Sequence, residues 1–183
     1  MTKRPIFEFI DPAIHPNDSL SVFPLADDYS FGILQSGIHW QWFIERCSTM
    51  KADWRYTSNT VFDSFPWPQN PAEKNVASVA EASRALRTLR SELLKKHNLC
   101  LRDLYRTIEK PGAHPMKDAQ AKLDDAVRAA YGIPKEGDAI QFLFNLNQQL
   151  AQSEANGQAV RGPGLPDSIA KPERFISTDA VRL

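Results

Sequence analysis

At 183 residues, 42% of them hydrophobic and 24% charged, the chain suffices for one domain or two small ones and is neither disordered nor fibrous. Its 22 basic and 22 acidic side chains cancel, which excludes a histone-like polycation but not a local basic face. Two cysteines exclude a disulfide scaffold, no apolar run reaches the ~20 residues of a membrane span, and Met1–Glu8 lacks a signal-peptide core, so a soluble protein of the reducing cytoplasm is expected.

In chain order, residues 5–10 and 20–25 are short, apolar, β-prone runs separated by turn chemistry from Asp11 to Ser19. A helix of about 20 residues is predicted next, capped by Asp27 or Asp28 and carrying Ile33, Ile38, Trp42 and Phe43 on a broad apolar face. Gly32 and Gly37 each weaken a helix by roughly 1 kcal/mol, so a close neighbour is expected against that helix. Thr60–Phe65 reads as a third strand, stopped by Pro66-Trp67-Pro68.

From Pro71 the period changes to helical. Val76, Val79, Ala82, Leu86, Leu89 and Leu93 form the seam of a long helix, and Leu101, Leu104, Tyr105 and Ile108 mark a short one ended by Pro111-Gly112. Pro115 opens a third helix that Gly132 closes, and Asp138 caps a fourth that stops at Gly157. The predicted class is mainly α, a helical bundle preceded by a small β remnant (α+β). Its parts are residues 1–68 with short strands and one helix, a bundle over 69–157, and a tail over 158–183 that is extended or disordered unless a partner holds it.

Charge is unevenly placed. Residues 1–70 have a net charge of −3, residues 71–131 of +4 and residues 132–183 of −1. The middle excess includes Arg84, Arg87, Arg90, Lys95, Lys96, Arg102 and Arg106, a set that can track a phosphate backbone. The plain alternative is a solvated helix face, partly paired with Glu81, Glu92 and Asp103.

Catalytic signatures are missing. The sequence has no phosphate loop, dinucleotide fingerprint or nucleophile elbow, and its four histidines are not spaced as metal ligands. Cys47 falls at a predicted helix end, where thiolate is disfavoured. His39 and Trp42 read as packing residues.

The densest stretch is Tyr29–Pro68, which holds all four tryptophans. Aromatics interleaved with Lys, Arg, Ser and Thr can stack on bases and bond phosphates, or can simply form an aromatic core. Its order is Phe31-Gly32-Ile33-Leu34-Gln35-Ser36 with His39 and Trp42, then Asp53-Trp54-Arg55-Tyr56-Thr57, then Val61 to Pro68 ending in F-P-W-P. This pattern resembles the C-terminal part of MmeI-like (type IIL) restriction–modification proteins, which join an endonuclease to an adenine-N6 DNA methyltransferase. The resemblance continues through Leu101–Arg106, Leu123–Val127 and Gly162–Pro166, covering about residues 20–166.

The resemblance implies the end of a target-recognition region and the helices that follow it, engaged with double-stranded DNA in service of methylation. It implies S-adenosylmethionine for the full-length family. This chain has neither the Gly-rich loop for that cofactor nor the N-P-P-Tyr/Phe clamp, and Asn70-Pro71-Ala72 is not that clamp. The chain is therefore expected to hold no cofactor and to be inactive alone, beside a methyltransferase core in cis or in trans and without a membrane partner. The candidate nucleic-acid contacts are Lys51, Trp54, Arg55 and Tyr56, with Arg84 and Arg87 on the long helix. Lys51 is the phosphate neutraliser and Arg55 the base reader, unless Arg55 pairs internally with Asp53 or Asp63. The alternative function is a helical module that docks through residues 71–155 onto a separate methyltransferase subunit without touching DNA.

Overall fold

The computed structural model describes residues 4–11, 13–17, 20–50 and 53–180, with the backbone alone at 48–50 and 53. The fold is mainly α. Helices α1 (Asp28–Gln35) and α2 (Gly37–Arg46) come first, then strands β1 (Ser48–Met50) and β2 (Asp53–Arg55), then one π-helical turn (Ser58–Phe62). Four more helices follow: α3 (Glu73–His97), α4 (Leu101–Glu109), α5 (Pro115–Tyr131) and α6 (Ala139–Ala155). A single 3-10 turn, Pro172–Phe175, lies in the tail. None of these helices is long and apolar enough to cross a membrane, among the described residues.

The predicted helix from Asp27 is broken in two. Asp27 caps α1 through a 2.7 Å bond from the Ser30 amide. Ser36 then leaves helical geometry (ψ 157°), and its Oγ accepts from the His39 amide to start α2. A serine followed by glycine offers an N-cap in mid-run, and that local bond competes with helix continuation.

Every residue of α1 is buried, wedged between α3 and α5. Gly32 makes the wedge possible. A Cβ built there would sit 2.7 Å from Val79 Cγ1 and 3.2 Å from Leu123 Cδ1, so the close neighbour expected from the sequence is the α3–α5 pair. Gly37 approaches α5 as closely, and its amide donates to Asp124 Oδ1 at 2.7 Å.

Three predicted strands are not strands. Residues 5–10 and 20–25 run extended but join no ladder among the described residues, and the third run forms the π-helical turn instead. β propensity reports fit to a pleated surface, and without a neighbouring strand it fixes nothing. In the π turn the Asp63 amide bonds Ser58 O at 2.8 Å and Val61 is fully buried. Phe65-Pro66-Trp67-Pro68 then passes through the core, where Tyr131 Oη donates to Pro66 O at 2.8 Å. The only sheet among the described residues is the β1–β2 ribbon, paired antiparallel with Ser48 opposite Arg55 and Met50 opposite Asp53.

The later helix ends agree with the sequence. Pro115 opens α5 after His114, Gly132 closes it at φ 74°, and Asp138 accepts from the amides of Ile140 and Gln141 to start α6. The seam of α3, however, is wider than its leucines and valines. Ala80, Ser83, Arg87 and Arg90 are buried, while Leu89 and Leu93 are only partly so.

The tail passes back over the body through a series of turns. Gln69 brackets Arg161 through three bonds, and Ile169 and Phe175 are buried.

Candidate nucleic-acid interface

A ribbon of two three-residue strands is marginal on its own, so what braces it matters. Its root is an aromatic cluster. Tyr56 stacks on Phe43 of α2 (5.6 Å, 21°) and meets Phe7 and Phe23 edge-on. Trp54 meets Phe43 edge-on at 6.2 Å.

Below the cluster lies His39, wholly buried. Its Nδ1 is 2.8 Å from Leu34 O, which can only accept, so Nδ1 carries the proton and Nε2 accepts from Tyr56 Oη at 3.1 Å. Burial holds the imidazole down to about 4, against the Leu34 bond. Burial likewise raises the Tyr56 phenol. A neutral histidine and a protonated tyrosine thus lock α2 to the strand end. On the opposite flank Trp42 Nε1 donates to Ser64 Oγ at 3.3 Å, and Asn147 of α6 donates to Ser64 O. Both His39 and Trp42 are packing residues, as the sequence indicated.

Above this base the ribbon faces solvent. Trp54 is 36% exposed, and Arg55 is exposed and makes no ion pair with Asp63. Lys51 lies outside the described residues. Tyr56, grouped with these in the sequence, is half-buried and spends its hydroxyl on His39, so it supports the ribbon from within.

The α3 arginines go elsewhere. Arg87 is 4% exposed, its guanidinium held between the rings of Phe9 and Phe31 at 5.0 and 4.8 Å. It donates to Asp28, Ser83, Ser177 and Asp179. Burial alone lowers its pKa, but the bonds to Asp179 and Asp28 outweigh that and leave it raised. Asp179 is correspondingly held down to about 2, chiefly by Arg87. Arg84 pairs with the other oxygen of Asp28 at 2.8 Å. Arg90 reaches Phe7 O and Glu8. The expected nucleic-acid contact of Arg87 thus gives way to an internal one: Asp28, buried at the start of α1, needs a cation, and Arg87 ties it to the tail. The sequence carried a signal for this, an Asp pair at a helix start and arginines spaced at three, but nothing that matched them across 59 positions.

Two further features frame the ribbon. Residues 6–11, 14–16 and 20–26, with Phe31 and Leu34, line an apolar cleft of about 670 Å³, on which Ile10, Ile14, Leu20 and Val22 stand exposed. With Trp54 these are the exposed large hydrophobic side chains among the described residues, whereas those of the helices over 71–155, such as Ile140, Phe142, Phe144 and Leu146, are half-buried. No group of three His, Cys, Asp or Glu side chains is placed to hold a metal ion, again among the described residues.

Part of the chain is similar to known proteins. The family described as "MmeI, target recognition domain" matches residues 5–69. DNA methyltransferase A of Bacillus subtilis (strain 168) is 29% identical over 133 residues, 69% of this chain and 14% of that protein. A solved structure of the type IIL restriction–modification enzyme MmeI in complex with DNA is 30% identical, with a TM-score of 0.60 over 69% of this chain and 17% of that one. The chain therefore spans well under a quarter of the length of the relatives it matches.

Proposed function

We propose that this chain, whose residues 5–69 form an MmeI-like target recognition segment, presents the β1–β2 ribbon to the major groove of duplex DNA on behalf of a methyltransferase core. The observation that carries this is the ribbon itself: two paired strands, the width of element a major groove admits, exposed at Trp54 and Arg55 and rooted in buried aromatics. Arg55 presents a planar fork suited to guanine O6 and N7, Trp54 an apolar face for a base or sugar, and Lys51 a phosphate contact. Arg84 stays with Asp28 and Arg87 inside.

In the whole chain, Arg55→Ala is expected to weaken duplex binding tenfold or more while far-UV circular dichroism and thermal melting stay unchanged. Unaltered affinity in a gel-shift titration rejects the ribbon as the reader.

Methyl transfer belongs to another stretch of protein. The cleft is lined mainly by Ile, Phe, Leu and Pro side chains, with Glu8, Asp11, His15 and Ser21 among them, and it lacks the Gly-rich strand-to-helix turn that would hold S-adenosylmethionine. The relatives are several times longer than the matched part, and this cleft is the apolar surface on which the remainder, in cis or in trans, can seat. Leu20→Asp with Val22→Asp should abolish co-purification with a methyltransferase core and leave the chain's own melting unchanged. Retained co-purification moves the dock elsewhere.

A further inference from the structure

The basic excess of the helical region is not where its arginines first suggest. Residues 95–117 carry six Lys/Arg against two Asp/Glu, a net +4, which is the whole excess of residues 71–131. Arg84, Arg87 and Arg90 on α3 are matched by Asp28, Asp179 and Glu8. What remains unmatched lies at the end of α3 and along α4.

Helix α4 carries one residue against its local preferences. Arg102 stands at its second residue, where the positive end of the helix dipole disfavours a cation. Arg106 follows at i+4, placing like charges on one face at a cost of a few tenths of a kcal/mol. Lys110 at the C-cap continues the row one turn further. All three are exposed, and no carboxylate lies within ion-pair distance of any of them among the described residues. Leu104 and Tyr105 are buried on the opposite side, so the stripe is held rigidly outward. Lys95 and Lys96 complement the C-terminal end of α3, and Arg106 and Lys110 that of α4, which is an ordinary explanation for each. Arg102 has none within the fold.

We infer that the Arg102–Arg106–Lys110 stripe of α4 is a second, sequence-independent contact for the phosphate backbone of duplex DNA, separate from the ribbon. It deepens the DNA-engagement reading above and rests on it. Guanidinium groups at successive helical turns suit a row of phosphates, which they bind through paired N–H donors. An acidic protein surface is the lesser fit, because protein interfaces centre on apolar anchors and none of the exposed large hydrophobic side chains lies on α4.

The test is fluorescence anisotropy of the whole chain with a mixed-sequence duplex at 50, 100 and 200 mM salt, approximate working points for counterion release. Wild type is compared with Arg102→Gln/Arg106→Gln and with Arg55→Ala. Loss of two phosphate contacts should flatten the slope of log affinity against log salt by about 1.8 and weaken binding of every duplex alike. A slope equal to wild type overturns the stripe, and if Arg55→Ala still loses affinity the ribbon reading survives alone. Conversely, a flattened slope with Arg55→Ala unchanged keeps the stripe and removes the ribbon. A wild-type chain that ignores duplex DNA but binds polyglutamate through Arg102 and Arg106 overturns both.

Discussion

Arg87 and Arg102 stand on adjoining helices of one basic region, yet the fold uses them in opposite ways. Arg87 is enclosed by two phenylalanine rings and shared between Asp28 and Asp179, joining α1, α3 and the tail. Arg102 is exposed and has no carboxylate partner among the described residues. The difference teaches that a count of cations per segment says little about a nucleic-acid face until internal carboxylates have been subtracted. Within residues 71–131, three arginines are subtracted and the surface charge moves toward α4.

The sharpest way to break this contrast is Arg87→Ala. It leaves the Asp28 carboxylate, 0% exposed, without its best partner, and removing one member of a buried pair costs about 3–5 kcal/mol. Urea unfolding should show that loss. A cost below about 1 kcal/mol would mean that Arg84 alone suffices for Asp28.

A middle-sized effect is expected at His39. The folded protein holds it neutral down to about 4, whereas an unfolded histidine takes its proton near 6.5. The unfolded state therefore binds more protons across that window, and stability falls as pH drops through it and levels off below it. The His39 share of the loss between pH 7 and pH 5 is about 2 kcal/mol. His39→Asn should remove that share, so parallel pH profiles for variant and wild type would refute the buried neutral imidazole. The smallest effect belongs to the exposed cations. Arg55→Ala and Arg102→Gln/Arg106→Gln should each stay within about 0.5 kcal/mol of wild type in the same unfolding assay, and that contrast with Arg87 is what separates surface cations from structural ones.

Much of this architecture is written locally. A cap needs one side chain and the next amide, so Asp27, Pro115, Gly132 and Asp138 mark helix ends that the structure reproduces. Gly32 announced a close approach because few other reasons place glycine in a buried helix, although its neighbours, Val79 and Leu123, lay beyond reach of the sequence. The aromatic motifs from Phe31 to Pro68 pointed to the target-recognition family whose description matches residues 5–69, while leaving open which aromatics are buried and which are exposed.

That division was decided in three dimensions. Tyr56 and Trp54 are two positions apart, equally aromatic and both in contact with Phe43 of α2, yet Tyr56 lies half-buried with its hydroxyl on His39 while Trp54 stays 36% exposed on the ribbon. The β-prone runs at 5–10, 20–25 and 60–65 became two extended segments and a π turn, since a strand exists only by virtue of its neighbour. Caps along the sequence marked most helix ends, though not the break at Ser36, and its local motifs showed what residues 5–69 resemble, for both depend on residues near one another along the chain. Which arginines are buried and which reach outward depended on pairings such as Asp28 with Arg87, 59 positions apart, and only packing brings such charges together.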